Sequence, residues 1–152
     1  MSTYVFLDTG PLCLACKSRS DRSQRCREWL AGLRGKGYFV MVPEIADYEA
    51  RREFLRQGAP ADDLLANLDA LSSAALLPLS RAAILKAAEF WALLRNEGRQ
   101  TADDKALDCD TILAAQAVTA TLPEDRVIIA TTNVDHLCRF PGVEAQPWDY
   151  VS

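Results

Sequence analysis

The fold turns on Tyr4-Val5-Phe6-Leu7-Asp8-Thr9-Gly10-Pro11. Four consecutive apolar residues leave no polar face, the pattern of a strand buried on both sides in a parallel sheet. Asp8 ends the run, and Thr9-Gly10-Pro11 are turn formers. The same grammar recurs downstream. Tyr38-Phe39-Val40-Met41-Val42 runs into Pro43, which suits the first turn of a helix because its missing N–H is unpaired there anyway. Val127-Ile128-Ile129-Ala130 runs directly into Thr131-Thr132-Asn133. Residues 75–79 read as a short strand and 143–148 as a last edge strand.

Helical spacing fills the intervals. Residues 21–34 carry Cys26, Trp29, Leu30 and Leu33, and Gly35-Lys36-Gly37 stops them. A helix over 43–57 is expected to bury Ile45, Tyr48 and Phe54 before Gly58-Ala59-Pro60. Another over 61–72 carries Leu64, Leu65, Leu68 and Leu71. Ser80 caps a long helix to about residue 97, with Ile84, Ala88, Trp91 and Leu94 predicted on one face and Gly98 closing it. Residues 99–108 read as an acidic loop, 110–120 as an Ala-rich helix and Pro123-Glu124-Asp125 as a turn. Strands alternating with helices predict an α/β fold: a central, mainly parallel sheet of four to five strands flanked by helices. The 152 residues suit one domain over 1–152.

Composition removes other classes. The chain is 49% apolar and 25% charged, with 17 basic against 21 acidic residues and a net charge of −4. Disorder and a purely basic nucleic-acid clamp are excluded. Eighteen consecutive apolar residues occur nowhere, so no membrane helix is expected. The start MSTYVFLDTG has no basic leader, and the five cysteines are an odd number, so a cytoplasmic protein with reduced thiols is expected. Cys13 and Cys16 form a lone CxxC, read as buried thiols in the first helix rather than a zinc or redox motif.

Ligands of open α/β sheets bind beyond the carboxyl ends of the strands. Asp8-Thr9 follows the first strand, and Glu44 follows the second. Thr131, Asn133 and Asp135 follow the 127–130 strand, and Asp108 and Asp110 stand where the Ala-rich helix begins. Singly, each acid could be a turn former, a cap or a complement to a helix dipole. Together they recur at one end of separate elements, where bare carboxylates would repel. A hard divalent cation with oxygen ligands, Mg2+ or Mn2+, resolves that repulsion.

Four segments then resemble one family in order. They are Phe6-Leu7-Asp8-Thr9-Gly10-Pro11-Leu12, Val42-Pro43-Glu44-Ile45, Asp108-Cys109-Asp110-Thr111-Ile112-Leu113-Ala114-Ala115-Gln116-Ala117, and Ile129-Ala130-Thr131-Thr132-Asn133-Val134-Asp135-His136-Leu137. This series is similar to that of the PIN-domain ribonucleases, in particular the VapC-type toxins of toxin–antitoxin modules. The resemblance implies a three-layer PIN-like fold. It implies that Asp8, Glu44 and Asp110 bind metal, with Asp108, Asp135 or Asn133 completing the set, and that Thr9 and Thr131 orient the carboxylates. The implied activity is Mg2+- or Mn2+-dependent hydrolysis of RNA phosphodiester bonds, catalysed through Asp8, Glu44, Asp110 and Asp135. A homodimer held in check by a cognate antitoxin is implied with it.

An acidic site needs cations to receive RNA. Residues 17–36 hold seven basic side chains, Arg22 and Arg25 among them, against Asp21 and Glu28. Arg51 lies seven residues after Glu44, on the same predicted helix face, and Arg52 follows it; all four arginines are candidate RNA contacts. The segment from Leu64 to Leu71 and the basic stretch are candidate antitoxin surfaces. His136 is expected to be structural, beside Leu137 and Phe140. Two other readings were weighed. A PIN-like module that holds RNA or protein without cutting draws on Asn133 standing where an acid is common. A phosphatase or receiver domain is disfavoured because Gly10 stands where the former needs a second Asp, and the 75–79 run ends without the latter's phosphoacceptor.

Overall fold

The structure, a computed structural model, describes residues 1–58, 62–97, 104–120 and 124–152, and of Asp62 and residues 104–107 the backbone alone. These form a five-stranded sheet in the order β3-β2-β1-β4-β5, comprising β1 (Thr3–Leu7), β2 (Phe39–Pro43), β3 (Leu76–Leu77), β4 (Arg126–Thr131) and β5 (Ala145–Pro147). All four neighbour pairings are parallel. The first strand therefore lies at the centre, with Phe6 opposite Met41 on one side and Ile129 on the other. Its continuous apolar run follows from that place, since both faces are covered.

Period-two alternation divides the core into two layers. Val5, Leu7, Val40, Val42, Ile128 and Ala130 point to one side. There they meet α1 (Thr9–Cys16), α2 (Asp21–Gly35), α3 (Glu44–Gln57) and α4 (Asp62–Ala75). Phe6 and Ile129 point to the other side, against α5 (Arg81–Asn96), α6 (Asp104–Thr119) and α7 (Val134–Leu137). This is the three-layer α/β arrangement expected from the sequence.

Several local readings need correction. The strand predicted over 75–79 is paired only at Leu76 and Leu77; Pro78 has no N–H to extend a ladder. Ser80 does cap α5, accepting from the Ala83 N–H at 3.0 Å. The buried face of α5 is Ala83, Ala87, Phe90 and Leu94, whereas Ile84 and Trp91 are about 40% exposed. Apart from Leu94, the buried stripe is rotated by one residue from the predicted one. Tyr48 likewise faces solvent, and Ala46 and Ala50 take the core positions on α3. The helix predicted to begin at Asp110 begins at Asp104, so 104–108 is helical and not loop. Lys105, Ala106 and Leu107 are good helix formers behind an acid in the first turn. Ala59, Pro60, Ala61, Gly98, residues 99–103 and Pro123 lie outside the described residues.

Two polar contacts set the helices around the carboxyl edge of the sheet. Gln116 of α6 is fully buried. Its Oε1 accepts from the Ile45 N–H at 3.3 Å, and its Nε2 donates to the Leu77 carbonyl at 3.1 Å, tying α6 to the start of α3 and to β3. At Gly10 a Cβ would meet the Thr132 Oγ1 at 3.0 Å. Only a glycine lets α1 pass this close to the segment after β4.

Candidate active site

Asp8 leaves the end of β1 as the N-cap of α1. Its Oδ1 accepts from the Thr9 N–H at 2.8 Å, and its Oδ2 accepts from the Thr131 hydroxyl at 2.7 Å. Thr131 is the last residue of β4, so adjacent central strands hold one carboxylate between them. The Asn133 N–H donates to the same Thr131 Oγ1 at 2.9 Å, fixing the hydroxyl's direction. Asp8 is 9% exposed, and burial pushes its carboxyl above the ordinary range while the two hydrogen bonds pull it back.

The acid that α3 sends towards Asp8 is Glu49, which the sequence reading passed over. The Thr9 hydroxyl donates to Glu49 Oε1 at 2.9 Å. Burial raises the Glu49 carboxyl, the Thr9 bond lowers it, and the charge of Asp8 raises it further. Glu44 stands elsewhere. It is exposed, and its Oε1 accepts from the Leu79 N–H at 3.0 Å, closing the turn before α5. Five residues carry the helix about 140° past a whole turn, so Glu44 and Glu49 cannot share a face. A signal was present in the sequence: once the helix starts at residue 44, the acid facing inward lies one turn deeper.

From α6 comes Asp110. Its carboxyl is pushed up to about 6 by burial first, then by the charges of Asp8 and Glu49, against opposing pulls from His136 and Arg139. Asp108 is exposed and lines a shallow apolar groove with Ala88, Trp91 and Ile112. Two residues along a helix are about 200° apart, so one acid of the pair faces in and the other out. Between them, the Cys109 thiol is buried, and desolvation first, then the charge of Glu49, pushes it up to about 12.

The segment after β4 contributes a base where acids were expected. Asp135 is exposed in the first turn of α7. His136, predicted to be structural, sets its Nδ1 3.6 Å from Asp110 Oδ2 and 3.0 Å from the Asn133 amide nitrogen. Leu137 and Phe140 are the buried members of that turn. Arg139 donates from Nε to the His136 carbonyl at 3.0 Å, which brings its charge near Asp110.

Of the four arginines expected to contact RNA, Arg52 stands beside the acids, with Nη2 3.8 Å from Glu49 Oε2. Arg51 is committed to the opposite flank of α3, where it pairs with Asp47 at 2.9 Å and Asp69 at 2.8 Å. Arg22 and Arg25 are exposed on α2. Cys13, Cys16 and Cys26 are free thiols near one another, pushed up to about 11, 12 and 11, mainly by burial. Thiols so raised stay protonated, as packing residues do.

Asp8, Glu49 and Asp110 thus face one another at the carboxyl end of the central strands. Among the described residues, no three Asp, Glu, His or Cys side chains are drawn together tightly enough to ligate one ion.

This is a three-layer α/β fold of the PIN-like kind, with acids gathered where parallel sheets place their ligands. Comparison with solved structures agrees. DNA-bound VapBC from Salmonella typhimurium matches with a TM-score of 0.72 at 18% identity, over 97% of this chain and 99% of that one. FitAcB from Neisseria gonorrhoeae matches at 0.70 and 16%, over 97% and 99%. VapBC-1 from nontypeable Haemophilus influenzae matches at 0.70 and 15%, over 96% and 98%. No family model and no curated protein matches the sequence. The VapC-type resemblance read from four short motifs is met in the fold over nearly the whole chain.

Proposed function

We propose that the protein is a divalent-cation-dependent endoribonuclease and the toxin of a toxin–antitoxin pair. The observation that carries this reading is Asp8, clamped by Thr9 and Thr131, facing Glu49 and Asp110 across the end of the sheet. Three carboxylates held above the ordinary range by burial, Glu49 and Asp110 also by a neighbour's charge, are a poor structural device, because each costs stability when ionised. They fit a hard cation in kind: oxygen donors, excess negative charge and hydrogen-bonded supports. Asp8, Glu49 and Asp110 are the residues that would hold Mg2+ or Mn2+. When bound, the ion would lower the pKa of a water and offset charge developing on the phosphate.

The protein's own groups do the rest. Thr131 and Thr9 keep Asp8 in one orientation, and Thr9 does the same for Glu49. Arg52, His136 and Arg139 put positive charge and N–H donors at the rim, where an RNA backbone would otherwise be repelled. The matched VapBC complexes support an antitoxin partner for this chain too, and we include a homodimer and a cytoplasmic location in the proposal. No described helix is long and apolar enough to cross a membrane.

The test is cleavage of a panel of structured and single-stranded RNAs with and without Mn2+. Wild type should cut only with the ion, and Asp8→Asn should not cut. RNA binding without metal affinity or cleavage would favour a non-catalytic module, a reading that the Asn133–His136 contact, in place of a fourth carboxylate, lends some weight.

A further inference from the structure

We infer that Tyr48 and Arg52 form a nucleobase platform that seats an unstacked base of single-stranded RNA beside the acidic cluster. The inference rests on the ribonuclease reading of that cluster and names the form of substrate it takes. Tyr48 is 55% exposed although it lies mid-helix and was expected in the core. Four residues on, the Arg52 guanidinium lies over its ring, 5.2 Å from the centroid. Residues four apart share a helix face, so the pair is a cation–aromatic stack in which the guanidinium covers one side of the ring and leaves the other for a base.

Its position gives that surface a use. Tyr48 immediately precedes Glu49, and Arg52 reaches Glu49 Oε2 at 3.8 Å. The platform is therefore the rim of the acid cluster and continuous with it. An exposed tyrosine face accepts any base by stacking, and an arginine beside it serves the neighbouring phosphate. A duplex keeps its bases stacked on one another and has none to offer. A base resting on Tyr48 would place the adjoining phosphate over Glu49, towards Asp8 and Asp110. Tyr48 and Arg52 thus select a base free to unstack next to the scissile phosphate. Leu55, 61% exposed one turn further, extends the face but adds no stacking surface.

The experiment measures the affinity of a labelled single-stranded oligoribonucleotide in Ca2+, which should not support cleavage, for wild type and Tyr48 variants. Tyr48 is exposed, so the variants should fold; their melting temperatures check this. Tyr48→Ala should weaken binding by roughly 10-fold or more, the usual scale for one stacked base, and Tyr48→Phe should restore it. Tyr48→Leu should behave as Ala, because it keeps apolar area without a π face. A duplex of the same sequence should bind wild type and Tyr48→Ala alike. Equal affinity of wild type and Tyr48→Ala for the single strand overturns the platform, whether or not the variant disturbs a protein complex. Stacking-dependent binding with no Mn2+-dependent cleavage would leave the platform standing and remove the nuclease. Failure of wild type to bind the oligonucleotide removes both.

Discussion

Two carboxylates two residues apart on α3 have opposite fates. Asp47 is met by Arg51 at 2.9 Å and by the Ser72 hydroxyl, and these bonds hold it below the ordinary range although burial acts the other way. Glu49 is met by the Thr9 hydroxyl at 2.9 Å and only loosely by Arg52 at 3.8 Å, looks at Asp8 and Asp110, and is held above it, by burial first. One helix therefore carries a satisfied acid on one flank and a frustrated one on the other. The satisfied acid ties α3 to α4, since Arg51 also pairs with Asp69. Frustration on the other flank costs stability and is relieved by a proton or a cation. That difference separates the structural acids of this chain from the acids of its site.

The largest expected effects break the frustrated flank. Asp8→Asn, Glu49→Gln and Asp110→Asn should each lower Mn2+-dependent RNA cleavage by roughly 100-fold or more, read as initial rates on one substrate. Glu44→Gln should stay within about twofold, because an amide oxygen can still accept from the Leu79 N–H. Next in size is the pH dependence of cation-free stability. Folded Asp110 keeps its proton to about pH 6, whereas its ordinary value is 3.8. Between those values the folded state binds more protons than the unfolded one, so stability falls as pH rises through the window. The loss reaches up to about 3 kcal/mol above it. Thermal melts should show Mn2+ raising the melting temperature at pH 7 and having little effect at pH 4.

Smaller effects come from the supports and from the satisfied flank. Thr131→Val removes the hydroxyl that orients Asp8 and should cost about 10- to 100-fold in cleavage. Asp47→Ala should lower stability by about 1–3 kcal/mol in denaturant unfolding, because Arg51 and Ser72 lose an acceptor. It should leave cleavage unchanged in the folded protein, and that contrast with Glu49→Gln is the sharpest form of the comparison.

The fold was largely legible because its evidence is local. Apolar runs such as 4–7 and 127–130 state burial on both faces, and the residues after them mark the carboxyl edge. Asp8, Thr9 and Thr131 could be read because they sit at element ends, where position and side-chain direction go together. Glu49 was missed because it lies inside a helix. There its direction depends on where the helix starts and how it is rotated, and these are set by the Gln116 contacts from a segment more than 60 residues away. The same rotational freedom misplaced Tyr48, Ile84 and Trp91, since apolar spacing names a stripe and packing chooses which stripe is buried. His136 was read as structural because its partner, Asp110, comes from another element. Asp108 was overvalued because residues 104–108 were read as loop, in which both acids could have turned inward.

The most direct measurement is a Mn2+ binding isotherm on purified wild type, Glu49→Gln and Glu44→Gln. Wild type and Glu44→Gln should bind the ion alike, and Glu49→Gln should bind it far more weakly while remaining folded. Equal binding by wild type and Glu49→Gln, or loss confined to Glu44→Gln, would contradict the assignment of Asp8, Glu49 and Asp110 as one cation-requiring cluster.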